Sequence, residues 1–182
     1  MASLKEIRRR ITSVKNTKQI TRAMKLVSAA KLRKAQEAAV SGRGFSGRLR
    51  NVLAVVRASL NGDFVHPLLQ PKESVKIRRV IIIAGERGLC GAYNTSVFKE
   101  VEKEKQDLTE CNLEYVPIGR RAVAYAKQQN WDVIKSYEGL PEDAGLWPIA
   151  EIVEDQVRAF LKDQCDEIVL YYTEFVLSLI HI

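Results

Sequence analysis

The sequence SLKEIRRRITSVKNTKQITRAMKLVSAAKLRKAQEAA, residues 3–39, decides the architecture of the chain. Ser3 and Glu6 form a capping-box pattern, in which two side chains satisfy free amides at a helix start. Apolar residues then recur at the spacing of a coiled-coil seam, at Leu4, Ile7, Ile11 and Val14. The seam moves over by one position to Ile20, Met24 and Val27, and later returns to its first frame. The stretch predicts a long helix that packs against another long helix or against other proteins.

The helical pattern fills residues 1–60, which we interpret as one coiled-coil helix. Forty uninterrupted helical residues would already span about 60 Å, longer than a compact domain of this size. Three glycines lie inside the pattern, at Gly42, Gly44 and Gly47. Because each costs roughly 1 kcal/mol relative to alanine, we expect a kink or short break there. Residues 61–63 should end the helix, within a linker at 61–74.

Charge divides the chain at the same place. Residues 1–60 carry fifteen Lys and Arg against two acids, a net charge of +13, whereas residues 61–182 carry fourteen against twenty, a net charge of −6. A basic helix joined to an acidic body calls for an acidic partner, which can be nucleic acid, an anionic membrane or acidic protein loops.

Residues 75–176 alternate between strand and helix patterns. Val80–Ala84 is apolar on both faces and mostly β-branched, which is typical of a strand buried within a parallel sheet. The patterns predict further strands at 113–118, 131–137 and 167–175, and helices at 95–106, 120–129 and 149–162. The fold class is therefore α/β, with an open, Rossmann-like domain after the long helix.

The first predicted strand is followed by glycines at Gly85, Gly88 and Gly91. This spacing is neither that of a dinucleotide-binding loop nor that of a phosphate-binding P-loop. We interpret the segment as a tight strand-to-helix turn, with Cys90 as a small buried hydrophobe. Three cysteines without CxxC spacing and two isolated histidines suggest no metal site and no catalytic set, so we expect no cofactor and no enzymatic activity.

Two motifs resemble the γ subunit of F-type ATP synthases. One is MKLVSAAKLRKAQ, residues 24–36, on the N-terminal helix. The other follows the first strand and reads Gly88-Leu89-Cys90-Gly91-Ala92-Tyr93-Asn94. The resemblance covers residues 1 to about 176, with both motifs in the family's order and spacing.

The resemblance implies a non-catalytic rotor subunit of the central stalk. In that family the N-terminal helix pairs with a C-terminal helix inside the α3β3 hexamer, and the α/β domain lies outside against the ε subunit and the membrane c-ring. Rotation there couples proton flow to ATP synthesis or hydrolysis. The implied location is peripheral, on the cytoplasmic face of the bacterial inner membrane rather than on an organellar membrane.

The resemblance also suggests where the β subunit would touch the helix. Acidic lever loops on β, known in the family, would suit a helix with a charge of +13. We carry this contact onto Met24 and Lys25. Wider electrostatic candidates on the same helix are Arg8, Arg9, Arg33 and Lys34.

The chain departs from the family pattern at three places, the first being the glycine cluster Gly42, Gly44 and Gly47, which is richer in glycine than the family norm. Gly85-Glu86 stands where Ser-Asp or Thr-Asp usually precedes the second motif. The family's C-terminal helix is missing. The last six residues, 177–182, are the translation of CTGTCTCTTATACACATC, the end sequence of a transposon that is used to prepare sequencing libraries. We therefore expect a truncated chain with a non-native tail.

Two other functions remain open from the residues alone. The basic helix can bind nucleic acid, although the first forty-four residues contain no aromatic side chain that would stack on bases. The α/β domain can belong to a nucleotide-dependent enzyme, which the glycine spacing disfavours.

Overall fold

The computed structural model describes residues 3–59, 66–70, 72–108 and 111–175. They form two compact units, one of residues 3–59 with Phe175 and one of residues 66–174. In chain order the helices and strands are α1 (Leu4–Ser59), β1 (Ile77–Ile83), α2 (Tyr93–Asp107), β2 (Asn112–Ile118), α3 (Arg120–Gln128), α4 (Ile149–Leu161) and β3 (Glu167–Tyr171), with short 3-10 turns at Pro67–Leu69 and Ala144–Leu146.

Helix α1 is a single α-helix of 56 residues, which corresponds to about 84 Å. Its start is capped as predicted, because the Glu6 amide donates to the Ser3 hydroxyl at 3.3 Å. The expected break at the glycines is wrong, since the helix runs through Gly42, Gly44 and Gly47 without interruption. Not one residue of α1 is buried. The predicted helix end at 61–63 lies outside the described residues.

The second unit is built on a parallel three-stranded sheet in the order β2-β1-β3. Alternate residues of β1 enter two cores, as a strand covered on both faces requires. Val80 and Ile82 pack with side chains of α2 and α3 on one face. Ile81 packs on the other face with Ile152 of α4. This confirms the α/β class and the buried first strand.

The strand predicted at 131–137 is wrong. This segment makes only two isolated parallel bridges to β2, from Val133 to Tyr115 and from Tyr137 to Ile118. The reason lies in β2, where Pro117 occupies a position between the two bridges. Proline has no N–H to donate, so a continuous ladder cannot form on that edge. The last strand is also shorter than predicted, because β3 ends at Tyr171.

A carboxylate fixes the point where β1 and β3 begin. Asp166 precedes β3 and accepts hydrogen bonds from the amides of Lys76 and Ile77, both at 2.9 Å. Lys72 donates to the same carboxylate at 3.1 Å and to Asp163 at 2.8 Å. The Ile77 amide, followed by Lys72, holds the pKa of Asp166 below its usual range. The two strand starts are thereby joined by charge-assisted hydrogen bonds.

Candidate partner-contact surfaces

The six residues expected to contact a partner all lie on α1 and are all exposed. Met24 is 57% exposed. Arg33 pairs with Glu37 one turn later, at 3.0 Å between Nε and Oε1. At about 100° per residue, Met24 and Arg33 point to opposite sides of the helix. The structure therefore distributes the candidates around α1 instead of gathering them on one face.

A shallow groove runs along one face of α1 and ends at Lys25. Its lining consists of Val14, Thr17, Lys18, Thr21, Arg22 and Lys25. The Thr17 hydroxyl donates to the Ser13 carbonyl at 3.0 Å, and the Thr21 hydroxyl donates to the Thr17 carbonyl at 2.8 Å. Because both hydroxyls bond back to the helix, these threonines offer their methyl groups to a partner. This surface was not predicted from the sequence, although two threonines four residues apart lie on one face of a helix.

The second motif surrounds Asn94, which is 8% exposed. Its Oδ1 accepts a hydrogen bond from the Gly85 amide at 2.8 Å. Its Nδ2 donates to the sulfur of Cys90 at 3.1 Å. One buried amide side chain thus links the end of β1 to the middle of the turn. The prediction of a tight turn is confirmed by this closure and by the close approach of Arg121 to Gly88.

The prediction that Cys90 is buried is wrong, because its side chain is exposed. The interior position of the turn belongs to Asn94. Leu89, beside the cysteine, is fully exposed and has a φ of 61°. A leucine rarely adopts this left-handed conformation. The turn therefore exposes Leu89 and Cys90, while the Cys90 sulfur still accepts the hydrogen bond from Asn94.

Stacked aromatic rings lie in the core of the second unit, and two of them, Phe98 and Tyr125, line one pocket with residues of the turn. Phe98 of α2 stacks on Tyr125 of α3 with 4.2 Å between ring centroids, and Tyr115 of β2 stacks on Trp131 at 4.4 Å. Tyr125 and Trp131 meet edge to face at 5.4 Å. Burial, with the nearby Glu102 carboxylate, raises the pKa of Tyr115 to about 12. Tyr115 therefore stays neutral at physiological pH, and the four rings form one continuous aromatic cluster.

The described residues contain no group of three or more His, Cys, Asp or Glu side chains placed to hold a metal ion. Within the same residues, no helix has both the length and the apolar character of a bilayer span.

A family model described as "ATP synthase" matches residues 3–181. The chain belongs to the ATP synthase family. It is 39% identical over 179 residues to the ATP synthase gamma chain of Cyanothece sp., a match that covers 97% of this chain and 56% of the relative. It is 38% identical over 176 residues to the ATP synthase gamma chain of Pelotomaculum thermopropionicum, with 97% and 61% covered. The chain thus spans little more than half the length of these relatives.

A solved structure of this family has a similar fold. The rotor of the Euglena gracilis mitochondrial ATP synthase, determined by cryo-EM, matches with a TM-score of 0.51 over 84% of this chain and 51% of that chain. At 21% identity, this likeness concerns the fold alone. None of these comparisons supports the nucleic-acid alternative.

Proposed function

We propose that the chain is part of the central stalk of an F-type ATP synthase and has no catalytic site of its own. The observation that carries this proposal is α1, a 56-residue helix without a buried residue. An exposed apolar seam on a helix this long is costly in water, and its burial requires a partner. The similarity to ATP synthase gamma chains supports the choice of an ATP synthase as the complex.

The proposed partners are the α3β3 hexamer around α1, and the ε subunit and membrane c-ring beside the α/β unit. Attachment to the membrane is peripheral, through the complex, on the cytoplasmic face of a bacterial inner membrane. The bacterial sources of the relatives support this location.

The proposed mechanism is a difference in contact free energy. A helix whose surface varies around its axis offers a different set of contacts to each β subunit as it turns. A contact shifts a subunit only by the difference in its affinity for that subunit's conformations. The distribution of the six candidates around α1 suits this role. Met24 and Lys25 form the central contact, with Arg8, Arg9, Arg33 and Lys34 as electrostatic support.

Co-purification tests the proposal directly. The chain is expressed with the α and β subunits of a cyanobacterial ATP synthase, and the complex is assayed for ATPase activity with and without the chain. We expect a stable complex whose activity changes when the chain is present. A chain that elutes alone at low and moderate salt, or that binds duplex DNA with the salt dependence of phosphate contacts, would contradict it.

A matched pair of charge reversals tests the contact on α1. Lys25→Glu places an acid at the end of the Thr17–Thr21 groove and should weaken association with the acidic loops of β. Lys127→Glu makes the same charge change on an exposed residue of α3. Equal loss of complex in the two variants would show that net charge, and not the groove, determines binding.

A further inference from the structure

The side chain of Glu86, a residue of the turn after β1, contacts a distant segment of the chain. It lies three residues beyond the end of β1, and its side chain is 23% exposed. Its Oε1 accepts a hydrogen bond from the Leu140 amide at 3.1 Å, and its Oε2 accepts one from the Gly139 amide at 3.2 Å. Arg120, at the start of α3, places its Nε 3.8 Å from the same carboxylate. One side chain thus holds two consecutive amides more than fifty residues away in sequence.

The two amides converge on the carboxylate because of the backbone at Gly139. Its φ is 73°, and a Cβ placed there would meet no atom within 4 Å. Space is therefore not the reason for a glycine; the left-handed conformation is. Successive N–H groups around such a residue form a concave nest that binds an anion. In this chain the occupant of the nest is the carboxylate of Glu86.

The nest begins a loop that is not held by the sheet. The last backbone tie of this segment to β2 is at Tyr137, whose amide donates to the Pro117 carbonyl at 3.0 Å. Beyond it, Leu140 and Trp147 pack against the core on the α4 side of the sheet. Leu140, whose amide is held by the Glu86 carboxylate, is the first of these two side chains after Tyr137.

We propose that Glu86 is a positioning residue that couples the loop at 138–147 to the turn that carries Leu89 and Cys90. Its backbone is part of the turn and directly follows Gly85, whose amide donates to Asn94. Its carboxylate accepts hydrogen bonds from the first amides of the loop. A change in either segment is therefore transmitted to the other. The coupling is a property of this chain alone and does not depend on the proposed function.

Hydrogen exchange of single amides, measured by NMR on the full chain, tests the coupling. Exchange of the Gly139 and Leu140 amides measures the hydrogen bonds to the Glu86 carboxylate. Exchange of the Gly85 amide measures opening of the turn, and exchange of the β1 amides measures opening of the sheet. Glu86→Gln keeps the shape of the side chain but replaces one acceptor with a donor. We expect exchange at Gly139 and Leu140 to rise at least about tenfold, the effect of losing a hydrogen bond to a charged group. Exchange at Gly85 should rise with it, while β1 stays unchanged.

Two further variants keep the result interpretable. Glu151→Gln removes an exposed pair with Lys135, 2.9 Å long, away from both segments and should leave all three reporter amides unchanged. Gly139→Ala disturbs the nest without touching Glu86 and should accelerate Gly85 exchange as Glu86→Gln does. The double variant should then exchange no faster than the stronger single one, because both break one interaction. Additive effects, an unchanged Gly85 amide, or equal acceleration in β1 would each overturn the proposal.

Discussion

Replacing Asp166 with asparagine tests the junction at which β1 and β3 begin. The Asp166 carboxylate accepts from the Lys76 and Ile77 amides at 2.9 Å each and from Lys72 at 3.1 Å. Asparagine keeps one acceptor oxygen and presents donors in place of the other. A hydrogen bond to a charged group contributes about 1.5–3 kcal/mol. We therefore expect Asp166→Asn to lower the free energy of unfolding by about 2–3 kcal/mol at pH 7.

The effect should depend on pH with a defined sign. The Ile77 amide and Lys72 lower the pKa of Asp166 in the folded chain below its ordinary value of 3.8. A carboxylate with a lowered folded pKa stabilises the fold above its unfolded pKa, and this contribution is lost as the pH falls through the folded pKa. The difference in unfolding free energy between wild type and Asp166→Asn should thus be full at neutral pH, begin to shrink near about pH 4 and go on shrinking as the pH falls through the lowered folded pKa.

Urea denaturation followed by tryptophan fluorescence measures this difference. Trp131 and Trp147 are the chain's two tryptophans, and both lie in the unit that contains the junction. Asp163→Asn is the matched control, because Asp163 contacts the same lysine at 2.8 Å but is 83% exposed; it should cost less than about 0.5 kcal/mol. A difference below about 0.5 kcal/mol for Asp166→Asn at pH 7, or one that does not shrink as the pH falls from about 5 to about 2, would refute the reasoning.

Core packing, backbone geometry and helix propensity give three more expected outcomes. Ile82→Ala empties a fully buried position and should lower the free energy of unfolding by about 3–4 kcal/mol in the same urea assay. Gly119→Ala should abolish the folded NMR spectrum, because φ is 95° and the new Cβ would lie 2.1 Å from a backbone carbonyl oxygen; a native-like spectrum would contradict this. Alanine at Gly42, Gly44 and Gly47 should raise the helical circular dichroism signal at 222 nm, since each glycine costs roughly 1 kcal/mol; an unchanged signal would count against that estimate.

The sequence predicted the elements whose signal is local. The β-branched run around Val80 and the spacing of Ala122, Val123 and Ala126 define β1 and α3 to within about three residues, because burial acts directly on those side chains. The segment 131–137 misled the prediction, because alternating burial is not the same as a ladder of hydrogen bonds. That ladder depends on a proline in a neighbouring strand.

The candidate site was less accessible from the sequence. The motif after β1 could be located from the sequence. Its buried residue could not be predicted, because Asn94 is buried and Cys90 is exposed. Nor could the partners of Glu86 be read, since they are backbone amides more than fifty residues later. Contacts between a side chain and a distant main chain leave no pattern in residue types.

Helix α1 passes through three closely spaced glycines while keeping its hydrogen bonds, and, apart from the adjoining helix backbone, no described atom lies within 4 Å of where their side chains would be. Ser41 and Ser46 add hydroxyl bonds back to carbonyls three residues earlier. Since each glycine lowers helix propensity by roughly 1 kcal/mol relative to alanine, this short stretch is where the backbone hydrogen bonds of α1 cost least to open.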